Sequence, residues 1–143
     1  MRRPTILVLL LCAAPLALAG CGDDELPIAP TPIQPTVESI NGTINPFSAR
    51  IHAFSVQDAG TVTVTLVQID PNDPDNPTTI GLDLGTSLGA NICQVTISNT
   101  STQLGESVLA TATSAGTLCA RVFDALPGGL PSAITYELEV THF

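Results

Sequence analysis

The sequence contains no lysine and no tryptophan, and it has one tyrosine and four arginines among 143 residues. Against thirteen acidic residues this leaves a formal net charge of −9. Nucleic-acid binding sets lysine and arginine against phosphates, so a chain this acidic is not a nucleic-acid binder. The same deficit argues against electrostatic docking on anionic headgroups. Sugar sites commonly stack rings on exposed aromatics, and the shortage of aromatic side chains weighs against that role. No Gly-x-Ser-x-Gly elbow exposes a serine, and no glycine-rich loop could cradle phosphate. No segment sustains a 3.6-residue apolar period with caps, so helices are not expected. These absences speak against an enzyme.

What is present begins with a leader. Met1-Arg2-Arg3 is basic, and Ile6 through Leu18 is apolar apart from Pro15. Such a run suits a signal-peptide core and falls short of the ~20 residues a spanning helix needs. It ends in Leu18-Ala19-Gly20-Cys21, which resembles the bacterial lipobox. That resemblance implies Sec export, cleavage after residue 20 and attachment of diacylglycerol to the Cys21 sulfur. The membrane partner is then reached through the lipid on Cys21. Because Gly22 follows in place of an aspartate, the outer membrane is the expected destination in a cell that has one. The twin-arginine reading of Arg2-Arg3 finds no support in the residues that follow.

Cleavage would leave Arg50 and Arg121 against all thirteen acids, a charge of about −11. Residues 21–38 read as a lipidated, acidic and proline-rich tether. Pro27, Pro30, Pro32 and Pro35 favour extended polyproline conformation, which at ~3.1 Å per residue reaches up to ~50 Å. The remainder, residues 39–143, is only lightly charged and rich in Thr, Val, Leu, Ala and Ser, the make-up of a folded β domain.

In that domain the apolar period is two. Val62, Val64 and Leu66 alternate with Thr61, Thr63 and Thr65, a half-buried strand with threonines on the wet face. His52, Phe54 and Val56 share one face of the preceding segment, and Asp58-Ala59-Gly60 reads as the tight turn of a hairpin joining the two. Further strands are expected at Ile40–Asn45, Thr79–Leu84, Ile92–Ser98, Val108–Thr113, Gly116–Asp124 and Ala133–Thr141. About eight short strands in one domain predict an all-β, jelly-roll-like antiparallel β-sandwich.

Several segments resemble bacterial pre-peptidase C-terminal domains: Asn41-Gly42-Thr43, His52-Ala53-Phe54-Ser55-Val56, residues 60–66, Gly81-Leu82-Asp83-Leu84-Gly85-Thr86 and residues 115–124. The resemblance covers residues 40–143. It implies a jelly-roll-like sandwich without catalytic activity. That family usually follows a secreted peptidase, and this chain has none, so a role in peptidase processing does not carry over.

Cysteine arithmetic follows from the leader. Cys12 leaves with it and Cys21 takes lipid, so Cys93 and Cys119 remain as an even pair in an oxidising compartment and are expected to be bridged. Closing a loop of this length contributes about 3.5 kcal/mol by chain entropy. Buried reduced thiols are the alternative; a metal site lacks further ligands at suitable spacing. Alternation places Cys93 with Val95 and Ile97 facing inward, and Cys119 with Arg121 and Phe123. A bridge at the sheet rim, between neighbouring strands, reconciles the two, with Arg121 reaching solvent or an acid such as Asp124.

The sharpest local cluster is Asp70-Pro71-Asn72-Asp73-Pro74-Asp75-Asn76-Pro77. Asp70, Asn72, Asp73 and Asp75 supply hard oxygens that suit Ca²⁺, although the EF-hand positions for glycine and glutamate are occupied by Asp75 and Gly81. The same composition makes an exposed turn. His52 reads as a packed or rim residue and His142 as a frayed terminal one. The sequence therefore predicts a lipid-anchored, noncatalytic binding or structural module of the cell envelope with a protein or glycan partner and no required cofactor; a Ca²⁺- or glycan-binding module is the second reading.

Overall fold

Alternating apolar and polar residues generate eight strands, as expected from the period of two, and no helix forms among the described residues. The computed structural model describes residues 32–89 and 91–143. The leader, Cys12, Cys21 and the tether up to residue 31 lie outside the described residues. The strands are β1 (Thr36–Ile44), β2 (Ala49–Val56), β3 (Gly60–Asp70), β4 (Ile80–Ser87), β5 (Cys93–Thr102), β6 (Ser107–Ala112), β7 (Gly116–Phe123) and β8 (Ile134–His142). β1 starts at Thr36, so the sheet takes up residues that the proline pattern assigns to the tether. Asn41-Gly42-Thr43, within the strand expected at Ile40–Asn45, lies inside β1.

The strands form two antiparallel four-stranded sheets, ordered β1-β8-β3-β6 (sheet A) and β2-β7-β4-β5 (sheet B). Chain order alternates between sheets at every connection except β4–β5. The expected hairpin between residues 50–56 and 61–66 therefore does not form: β2 pairs with β7, and β3 pairs with β6 and β8. The Asp58-Ala59 turn instead carries the chain across the sandwich. Its backbone is tied to the C-terminus, where Gln57 and Asp58 N–H groups donate to Phe143 O at 3.0 and 3.2 Å.

The core lies between the inner faces. Val62, Val64 and Leu66 of β3, with Leu138 and Val140 of β8, meet Leu82 and Leu84 of β4 and Val122 of β7. Apolar burial on this scale, at roughly 25 cal/mol per Å², is the main stabilising term. Phe54 and Tyr136 are the aromatic residues of this core. Tyr136 packs inward and is 2% exposed; Gly42, opposite it in the register, leaves the space its hydroxyl occupies. That hydroxyl lies 2.7 Å from His52 Nε2.

The C-terminus is held, contrary to the fraying expected of it. His142 is buried, stacks on Phe54 and places Nε2 2.7 Å from Glu38 Oε1 of β1. Pairing of β1 along the whole of β8 is what fixes it.

Candidate functional face of sheet B

In a sandwich with one solvated face per sheet, outward residues should be polar and exposed. The outer face of sheet B departs from this. On β4 all of Ile80–Gly85 are buried, including Gly81, Asp83 and Gly85, which point away from the core. The register explains the cover: Gly81 faces Phe123, Asp83 faces Arg121, and Gly85 faces Cys119. Each large group of β7 lies over a small or short residue of β4. A Cβ on Gly81 would run into the Phe123 ring, and one on Gly85 into the backbone at Gln94.

At the centre Arg121 Nε donates to Asp83 Oδ2 at 2.6 Å, and its terminal nitrogen lies 2.5 Å from the same oxygen. The guanidinium carbon sits 4.8 Å from the Phe123 ring centroid, a cation–π contact. Asp83 is fully buried while the Arg121 side chain is 36% exposed. Among the described residues Asp83 Oδ1 has no hydrogen-bond partner. A buried carboxylate is tolerated only when paired, so Asp83 holds the guanidinium from beneath and Phe123 supports its flank. Part of the cation remains open to solvent in a fixed orientation.

Around this pair the face is uncharged and partly apolar. Ile51 and Ala53 of β2 flank Arg121 and Cys119, and Val95 of β5, 39% exposed, lies beside Gly85. Between Asp83 and Arg121 the only charged residue in the sequence is Glu106.

The bridge is present: Cys93 and Cys119 are bonded, with Cα atoms 5.8 Å apart. Its setting differs from expectation. The two strands are not neighbours, because β4 lies between them; the β5 backbone at Gln94 and Val95 closes over Gly85, whose missing side chain leaves the room. Cys119 is wholly buried and Cys93 half-buried. Nor do Val95 and Ile97 both face inward. A register shift between Leu84 and Gly85 inserts an extra residue into β5, so Cys93 and Val95 join the outer side while Ile97, opposite Leu84, falls on the other. Arg121 finds Asp83, not Asp124. Asp124 instead accepts backbone N–H groups from Phe47, Leu130 and Leu126 at 2.8, 2.8 and 3.1 Å. Burial pushes its pKa up, but these three donors outweigh that and hold it below the ordinary value.

The Asp70–Pro77 loop uses its oxygens locally. Asp73 Oδ1 accepts the Asp75 N–H at 2.9 Å, Asn72 Oδ1 accepts the Thr78 N–H at 3.4 Å, and Asp73 and Asn76 form an isolated bridge. Among the described residues no three His, Cys, Asp or Glu side chains converge in a metal-binding group. Asp70, Asn72, Asp73 and Asp75 are thus exposed parts of a turn, not brought together. The histidines are engaged with Tyr136 and Glu38, and among the described residues neither is hydrogen-bonded to a serine hydroxyl. From the sequence Asp83 reads as a turn or strand-face acid with no claim to a site. Its signal was an acid flanked two residues away on both sides by glycine, in an otherwise apolar strand.

No family model matches the chain, and no curated protein matches it in sequence. Among solved structures, the fold is similar to that of PliG from Aeromonas hydrophila, a periplasmic lysozyme inhibitor of g-type lysozyme. The match has a TM-score of 0.52 at 11% identity and covers 73% of this chain and 84% of that one.

Proposed function

We infer that this chain is a noncatalytic, extracytoplasmic binding module, anchored by lipid at Cys21, that docks a protein through the outer face of sheet B. The observation that carries the reading is the Asp83-braced Arg121 stacked on Phe123 within an uncharged, partly apolar face of an acidic protein. Protein interfaces are enriched in arginine and aromatics and depleted of other charges at their centres, and immobilised side chains lose less entropy on binding. The lipobox-like leader and the resemblance to pre-peptidase C-terminal domains support export and absence of catalysis. The fold likeness to a periplasmic inhibitor is in keeping with a binding role.

Site-specific photocrosslinking in intact envelopes tests the face. A crosslinker at Ile51 should yield a discrete heteromeric product, and one at Thr63 on the opposite sheet should not. Equal labelling at both positions would overturn the docking face. Cys21→Ala tests the anchor separately: the variant should leave the membrane fraction or accumulate as uncleaved precursor, and partitioning like wild type in detergent phase separation would remove the lipid anchor.

A further inference from the structure

Among the described residues four strand edges are open: β1 and β6 in sheet A, β2 and β5 in sheet B. Unpaired edges invite association, and proteins blunt them with charge, proline or shortness. Three edges here carry such devices. β1 bears Glu38 and follows Pro32 and Pro35; β2 bears Arg50 and His52; β6 has six residues and follows Glu106. β5 has ten residues, no charge and no proline. The uncharged stretch extends from Leu84 to Gly105. Beside and along β5 stand exposed Leu88, Ile92, Val95 and Ile97, at 60, 56, 39 and 39%.

We propose that β5 is a self-association edge: the β5 strands of two copies pair antiparallel about a two-fold axis, extending sheet B into one continuous eight-stranded sheet. Two features select a second copy as the occupant. With a formal charge of −9, most surfaces of one copy repel the same surface of another, whereas a two-fold pairing of β5 opposes no like charges. Pairing about a two-fold also uses one strand as its own complement, and threonine, isoleucine and valine suit a pleated pair. The extra residues in β5 leave regular runs at Cys93–Val95 and Ile97–Asn99. The second run sets the register, with Ser98 on the axis. The dimer would carry the Arg121 face twice on one sheet, although the pairing itself does not depend on that face binding a partner.

The test uses the full-length anchored protein in detergent, with mass measured by density-matched sedimentation across micromolar concentrations. Wild type should be a dimer. Ile97→Glu should keep the same far-ultraviolet spectrum and raise the dissociation constant at least about tenfold, since each carboxylate then lies opposite Asn99 of the second copy with the two like charges diagonal across the axis. Thr63→Glu on sheet A should leave the dimer intact. As a second readout, Ser98→Cys should give a disulfide-linked dimer on mild oxidation and Thr63→Cys should not. A monomeric wild type, a dimer indifferent to Ile97→Glu, or equal crosslinking at both positions would each overturn the proposal.

Discussion

Asp83 and Arg121, thirty-eight residues apart in sequence, form a pair in which the acid is fully buried and the base about one-third exposed. The asymmetry means the two partners are not equivalent to remove. Truncating Arg121 leaves a carboxylate in a dry site, whereas removing both takes away the problem with the pair. Arg121→Met should cost about 2–3 kcal/mol, toward the low end for a buried pair because solvent screens the arginine. Asp83→Ala combined with Arg121→Met should recover part of that loss. Urea unfolding of the full cycle checks this, and strictly additive single effects would show that the pair is not coupled.

The two covered glycines of β4 should differ in tolerance. At Gly85 a new methyl group meets the backbone of Gln94, which cannot turn aside; at Gly81 it meets the Phe123 ring, a side chain. Gly85→Ala should therefore destabilise by more than Gly81→Ala, with the former at about 2 kcal/mol or above, in the range of overpacked sites. Gly128→Ala, where the added group meets nothing within 4 Å, serves as the reference. Thermal midpoints in the reverse order for Gly81 and Gly85 would contradict the account of the covered face.

The His52–Tyr136 pair predicts stability loss at both ends of the pH scale. Burial, assisted by the nearby Arg50 charge, lowers the His52 pKa from its ordinary 6.5. The unfolded chain then binds the proton more readily, so stability should fall as pH drops through 6.5 and below. Burial also pushes the Tyr136 pKa up from 10.0 to about 12, with Arg50 opposing. Here the unfolded chain loses its proton first, so stability present below pH 10 should decline between 10 and 12, by roughly 2 kcal/mol. Tyr136→Phe should flatten the alkaline limb of unfolding free energy against pH. A limb unchanged in that variant would mean another group is responsible.

Calcium should not stabilise the domain through the Asp70–Asn76 loop, whose oxygens already serve the turn. A site filled at 100 times its dissociation constant would add about 2.7 kcal/mol and raise the midpoint by several degrees. Scanning calorimetry with and without millimolar Ca²⁺ measures this. A rise of that size that disappears in Asp73→Ala would establish the loop as a cation site.

By itself the sequence determined the all-β class, the eight strands, the threonine-lined faces and the pairing of Cys93 with Cys119. These rest on local signals: a period of two shows in any strand with one buried face, and two cysteines within one β domain have one way to pair. Tertiary structure decided which strands became neighbours. Consecutive segments such as β2 and β3 look like a hairpin from their turn, yet whether that turn closes one sheet or crosses to the other depends on which apolar faces must cover each other. It also decided which way β5 faces, because one inserted residue reverses every side chain beyond it, so Cys93 and Ile97 part company despite an unbroken alternation in the sequence. The union of Arg121 with Asp83 belongs to the same class. The pairing depends on the register of β4 against β7, a long-range property that the residues around either side chain do not encode.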